Sequence, residues 1–131
     1  MNISPELLSE VLGKKVYRTK MYGSNYIDVH YDQERYMPVF DRINIYEIAH
    51  KCKEWAFNKN KFLSSGISKY APTDKKNRMK AYYCRVGYKV YACHTGTVQI
   101  NNGCEYTSLG NSEPEAIFKA CEWILKQKEN K

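Results

Sequence analysis

Apolar residues recur at helical spacing in two segments of the chain, and each segment begins with a capping box. In this motif a polar side chain and a glutamate three residues later satisfy each other's backbone amides. The two boxes are Asn44-Ile45-Tyr46-Glu47 and Ser112-Glu113-Pro114-Glu115. The predicted buried stripes of the two helices are Ile48, Cys52, Trp55 and Ala56, and then Ile117, Ala120, Cys121 and Ile124.

A third, shorter helix is predicted from Pro5 to Leu12. Ser4 is a typical N-terminal cap, proline is tolerated in the first turn, and Gly13 is typical of the residue that ends a helix. Since Leu7 and Leu8 are apolar, we expect this helix to cover a face or an edge of the sheet.

Short runs rich in tyrosine and valine precede each long helix and predict β-hairpins. The first hairpin runs from Val16 to Tyr22 and from Tyr26 to Tyr31, around Gly23-Ser24-Asn25. The second runs from Ala81 to Val86 and from Tyr88 to His94, around Gly87. An edge strand or a strand end is predicted around Tyr36 to Phe40, because Pro38 cannot donate to a strand ladder.

The two halves of the chain resemble each other in order and in detail. Lys51, Glu54 and Trp55 in the first long helix correspond to Lys119, Glu122 and Trp123 in the second, at a constant offset of 68 residues. Coincidence between two amphipathic helices is the alternative explanation. The interpretation is one domain, residues 1–131, with related halves at about 14–60 and 78–131 and a basic linker at about 64–80.

Hairpins joined to helices in this order predict an α+β fold. Each half would be a β-hairpin(-β)-α unit that contributes to a small antiparallel sheet, because tight turns rather than helical crossovers connect the strands. The long helices pack on the sheet, and the short helix precedes them.

The positive charge of the chain is concentrated in one segment. The 131 residues have a net charge of +7, but the stretch from Lys59 to Lys89 holds nine Lys and Arg residues against one acid, Asp74. The net charge of this stretch is therefore +8, and that of the rest is −1. Such a segment favours acidic partners, which are nucleic acids or acidic protein surfaces.

Alternation in the second hairpin predicts which side chains face solvent. Tyr82, Cys84 and Val86 form an apolar set, so the set that includes Tyr83 and Arg85 lies on the opposite face. Together with the linker cations, these residues form a predicted partner-binding set, here called the basic surface. Its members are Lys75, Lys76, Arg78, Lys80, Tyr83, Arg85, Lys89 and Tyr91.

Three uses of the basic surface fit this composition. Rings interleaved with cations are typical of single-stranded nucleic acid binding, because bases stack on the rings and cations follow the phosphates. Tyrosine and arginine are also favoured anchors at protein interfaces. The third interpretation is a solvated lysine-rich loop beside tyrosine pairs that stabilise the hairpin.

The cysteines and histidines indicate no cofactor. Five cysteines without repeated short spacing are typical of reduced, buried thiols, and the one zinc candidate set, Cys84, Cys93, His94 and Cys104, lacks a C-x-x-C pair. Asp28 and His30 share one side of a strand with Tyr26 and could form an acid-base cluster, but none of the histidines lies in a familiar catalytic motif. We therefore predict a non-enzymatic protein without metal or cofactor.

The helix segments from Ile43 to Trp55 and from Ser112 to Trp123, with the opening Ile3-Ser4-Pro5-Glu6-Leu7-Leu8, resemble small phage and prophage proteins of the ABA-sandwich type. The resemblance covers about half of the chain and rests on capping and core residues. It implies a phage setting and carries no catalytic residues. Small phage proteins without catalytic motifs are often inhibitors of host defence, including inhibitors of CRISPR nucleases.

The functional expectation is an inhibitor of a host defence complex, such as a CRISPR-Cas effector, that docks the basic surface on an acidic protein surface or on guide RNA. The alternatives are a nucleic-acid-binding accessory protein and a structural or assembly protein. We expect the host cytoplasm, because residues 1–13 have no cationic region before an apolar stretch and no apolar run is long enough to cross a bilayer. An exposed sheet edge would allow a homodimer, although no residue demands one.

Overall fold

The structure is a computed structural model that describes residues 3–31, 40–67, 82–91 and 98–129, with side chains outside 88–91, 98–104 and 128–129. Within these ranges the chain forms three helices and six strands. In chain order they are α1 (Pro5–Leu12), β1 (Arg18–Tyr22), β2 (Tyr26–His30), β3 (Phe40–Asn44), α2 (Ile45–Asn58), β4 (Lys61–Ile67), β5 (Tyr82–Tyr91), β6 (Val98–Gly110) and α3 (Glu113–Glu129).

The predicted α+β class, the antiparallel pairing and the short N-terminal helix are confirmed. The strands form two three-stranded sheets, with the orders β1-β2-β3 and β4-β5-β6. Every neighbouring pair is antiparallel. After α1 the chain therefore repeats one order of elements, in which three strands are followed by a helix.

The first predicted hairpin is correct, and the second is not. β1 and β2 meet at Tyr22 and Tyr26, and Gly23 has the left-handed φ of 63° that a tight turn requires. Gly87, by contrast, lies inside the continuous strand β5, where the register with β6 shifts on either side of it. Gly87 pairs regularly with Phe62 of β4, and the extra residues at the shift lie in β6, so the bulge is in β6 opposite the glycine.

The linker prediction overlaps with a strand. Residues 64–67 belong to β4, which pairs with β5 from Lys61 opposite Tyr88 to Ile67 opposite Tyr82. The rest of the predicted linker lies outside the described residues. Residues 36–39 of the predicted strand around Pro38 also lie outside the described residues. The strand that follows the first hairpin in the structure is β3, which begins at Phe40.

The predicted cap residues of all three helices are in place, but the two capping boxes differ in detail: Asn44 accepts from the amide of Tyr46 rather than of Glu47, and Glu115 accepts from the amide of Asn111 rather than of Ser112. The Ser4 hydroxyl accepts from the Leu7 amide, and the Asn44 side chain accepts from the Tyr46 amide at 2.8 Å. The Ser112 hydroxyl accepts from the Glu115 amide at 3.3 Å, and the Glu115 carboxylate in turn accepts from the amide of Asn111. These bonds fix the point at which each chain segment enters its helix.

The matched charges of the two long helices make different contacts. The Glu54 carboxylate lies 3.0 Å from His50 on its own helix, whereas Glu122 accepts from the amide and the hydroxyl of Ser4. Lys119 pairs with Glu115 rather than with Glu122. The correspondence at an offset of 68 residues is therefore one of sequence and element order, while the side chains serve different neighbours.

One hydrophobic core joins the inner faces of both sheets to the helices. Ile27 and Val29 of β2, Cys84 and Val86 of β5, and Leu7 and Leu8 of α1 are all buried within it. Both predicted helix stripes are also buried. The helices occupy the inner faces, and exposed side chains such as Tyr22 and Leu109 lie on the outer faces.

Candidate functional site

The structure describes two side chains of the basic surface, those of Tyr83 and Arg85. Lys89 and Tyr91 lie in β5, but their side chains are outside the described set. The linker members Lys75, Lys76, Arg78 and Lys80 lie outside the described residues altogether.

The predicted alternation holds from Tyr82 to Val86. Cys84 and Val86 are fully buried in the core, whereas Arg85 is exposed and Tyr83 is half-buried. The Arg85 guanidinium carbon lies 5.4 Å from the centre of the Tyr83 ring. This distance is within the range of a cation-π contact, so the ring and the charge form one outward-facing unit.

The neighbouring strands complete this outer face of the second sheet. Tyr83 lies opposite Gly66 of β4 and Leu109 of β6, and Arg85 lies opposite Thr107. The Tyr83 ring lies against the sheet beside Gly66, with its hydroxyl oxygen 3.6 Å from where a Cβ of residue 66 would be. Leu109 is 45 % exposed, which adds an apolar side chain beside the ring and the cation.

Asp28, one of the acid-base candidates on the first sheet, is held in an ion pair. Asp28 and His30 share the outer face with Tyr26, as predicted, but both carboxylate oxygens of Asp28 accept from Arg42 of β3, at 2.8 and 3.2 Å. These hydrogen bonds lower the pKa of Asp28, with nearby positive charges contributing, while burial opposes the shift. Asp28 is thus held ionised in a two-point ion pair, an arrangement that fits a structural role.

Comparisons of the chain with protein-family models, curated proteins and solved structures found no match. The resemblance to phage proteins therefore stays a prediction. No helix in the described part of the chain is long and apolar enough to cross a membrane.

Sequence reasoning missed a second cluster of rings and cations, which lies on the outer face of the first sheet. The Arg42 guanidinium carbon lies 3.4 Å from the centre of the Tyr22 ring, and the rings of His30 and Phe40 stack with centres 5.2 Å apart. Tyr22 and Tyr26 flank the predicted turn, but Arg42 lies beyond the predicted third strand. The register of β3 was needed to bring these residues together.

The described cysteines are buried thiols. Cys52, Cys84 and Cys121 are thiols rather than disulfides and are fully buried, and the Cys121 thiol contacts the Cys52 carbonyl oxygen at 3.7 Å. The interaction with Cys52, together with burial, raises the pKa of Cys121 well above its usual value. A neutral thiol is a poor nucleophile, so Cys121 serves core packing.

Only one member of the zinc candidate set, Cys84, has a described side chain. Cys93 and His94 lie outside the described residues, and Cys104 lies in β6 without a described side chain. Among the side chains that the structure does describe, no three His, Cys, Asp or Glu residues are grouped as metal ligands would be.

Proposed function

We propose that the protein is a non-enzymatic binding protein that contacts its partner through the basic surface. The observation that carries the proposal is the outward-facing pair of Tyr83 and Arg85, on the side of the second sheet opposite the helices. Tyrosine and arginine are among the residue types that contribute most at interface centres. The adjoining linker adds positive charge within the same stretch of sequence.

The partner we propose is a host defence complex such as a CRISPR-Cas effector, in the cytoplasm of the host cell. The net charge of +8 between Lys59 and Lys89 complements either an acidic protein surface or a guide RNA held by the complex. The protein would then act as an inhibitor by occupying that surface. The phage setting is taken from the helix resemblance.

Support for binding rather than catalysis comes from the titratable groups that could have formed a centre. Asp28 is held by Arg42, and His50 is exposed on α2, where it contacts Glu54. The described cysteines are buried in the core. Cys84, which lies between Tyr83 and Arg85 in β5, points into the core, away from the face that these two side chains share.

An affinity purification from host lysate, with and without nuclease treatment, tests the proposed function. We expect the wild-type protein to recover a defence complex. Recovery should survive nuclease treatment if the contact is with protein, and it should be lost if the contact is with accessible RNA. Arg85→Glu should reduce recovery at least tenfold, because it places a negative charge at the interface. The matched control is Lys126→Glu, the same charge change at an exposed position on α3.

A defence complex recovered in this way should also lose its interference activity when the purified protein is added. Recovery of free RNA or DNA alone would contradict inhibition and favour the second candidate, a nucleic-acid-binding accessory protein. The observation that favours this candidate is the second cluster of rings and cations, on the first sheet.

A further inference from the structure

The outer face of the first sheet is defined by the register of its three strands. Because directly opposed residues project to the same face, the pairs across β1, β2 and β3 place three rows of side chains together. The rows are Arg18, His30 and Phe40; Lys20, Asp28 and Arg42; and Tyr22, Tyr26 and Asn44. This set, called the first-sheet face below, is separate from the basic surface.

Three large aromatic rings of the first-sheet face are open to solvent. Tyr22 is 52 % exposed, Tyr26 is 43 % exposed and Phe40 is 42 % exposed. Ile27 and Val29, which alternate with the outer-face residues along β2, are buried on the inner face. The core therefore covers one side of the sheet, and the rings lie on the other. Exposed rings on a sheet are a general platform for stacking unpaired bases.

The charge of the first-sheet face is positive. Arg42 balances Asp28 through its two hydrogen bonds, and the same guanidinium lies over the Tyr22 ring. These contacts hold Tyr22 and Arg42 in place before any ligand arrives. The charges of Arg18 and Lys20 are then in excess, which gives the face complementarity to an anion.

A cleft beside these cations is suited to a phosphate group. Its volume is about 390 Å³, and it is lined by Arg18, Thr19, Lys20 and His30. The Nδ1 atom of His30 is buried and has no hydrogen-bond partner in the described structure. The two cations beside this cleft form an environment that can receive charged oxygen atoms.

The separation between cations and rings fits a strand of nucleic acid. Arg18 and Tyr22 lie at opposite ends of β1, four residues apart, so they are separated by roughly 13 Å at the usual rise of a strand. A few nucleotides span such a distance, with phosphates near Arg18 and Lys20 and bases against Tyr22 and Tyr26. We infer that the first-sheet face binds an unpaired nucleic acid strand by stacking its bases on these rings.

Fluorescence anisotropy with labelled oligonucleotides tests this inference. The oligonucleotides are about ten nucleotides long, which is within the site sizes of sheet-based binders. Single-stranded RNA and DNA, the matching duplex and poly-glutamate are compared at two salt concentrations. We expect single strands to bind more tightly than the duplex and poly-glutamate. The double variant Tyr22→Ala and Tyr26→Ala should weaken single-strand binding at least tenfold, while Tyr46→Ala, which removes a 58 % exposed ring from α2, should leave it unchanged.

A charge variant tests the phosphate cleft separately. Arg18→Gln with Lys20→Gln should weaken binding and reduce its salt dependence, because fewer counterions are released. Lys126→Gln, which removes one positive charge from an exposed position on α3, is the control for each single substitution, Arg18→Gln and Lys20→Gln. The inference is overturned if no single strand binds at low salt, if duplex or poly-glutamate binds as tightly as single strands, or if the tyrosine variant binds like wild type.

The outcome is distinguishable from that of the proposed function, because the two surfaces are altered by different variants. The tyrosine variant should still recover the defence complex, and Arg85→Glu should still bind single strands through the first-sheet face. Circular dichroism spectra and melting temperatures confirm that each variant is folded, which is expected because the replaced side chains are exposed.

Discussion

Replacing Gly110 with alanine is expected to lower the free energy of unfolding by about 1–3 kcal/mol, the usual cost of adding a group where there is no space. A Cβ atom at this position would lie 2.8 Å from the amide nitrogen of Ala116 and 3.1 Å from the carbonyl oxygen of Ser112. Both atoms belong to the backbone at the start of α3, so neither can rotate away. The change is measured by urea denaturation followed by circular dichroism.

Gly66→Ala is the matched control for this prediction, since it makes the same change in another strand. The nearest atom to a Cβ at residue 66 is the Tyr83 hydroxyl oxygen at 3.6 Å, an ordinary contact distance. We expect stability to stay within about 1 kcal/mol of wild type, because alanine also restricts the unfolded chain. Equal losses at both glycines would show that the close approach of β6 to α3 is not the cause.

Reversing five cations of the basic surface is expected to abolish recovery of the defence complex. Each reversal replaces a positive charge with a negative one, so the net charge of the chain falls from +7 to −3. An acidic partner would then be repelled at the contact surface and at a distance. The reversed residues are Lys75, Lys76, Arg78, Arg85 and Lys89.

A second variant separates the position of the charge from its amount. It reverses five cations outside the stretch from Lys59 to Lys89 and reaches the same net charge. The reversed residues in this control are Lys14, Lys15, Lys51, Lys126 and Lys128. If recovery of the defence complex depends on where the positive charges lie, the control variant should recover most of the complex that wild type recovers. Equal loss in both variants would show that only overall charge matters.

Local features of the structure were predictable from the sequence because they depend on neighbours in the chain. The caps at Ser4, Asn44 and Ser112 are set by residues within one helical turn. The turn at Gly23 and the alternation from Tyr82 to Val86 are equally local. For this reason the helices, the first hairpin and the outward direction of Tyr83 and Arg85 could be predicted.

Features that depend on distant pairing were not predictable in the same way. The glycine in Val86-Gly87-Tyr88 is compatible with a turn or with the interior of a strand, and only the pairing of β5 with both β4 and β6 decides between them. Likewise, the ion pair of Asp28 with Arg42 depends on how β2 and β3 align. The first-sheet face therefore became visible only from the register of three strands.

Site-specific photo-crosslinking tests most directly whether the outer face of the second sheet contacts the partner. A photoreactive amino acid is placed at Leu109, which is exposed and lies opposite Tyr83, so that Tyr83 and Arg85 are kept. The comparison protein carries it at Lys126 on α3. We predict a covalent adduct with the recovered complex from position 109 and none from position 126. An adduct from position 126 alone, with the complex still recovered, would contradict a contact through this face.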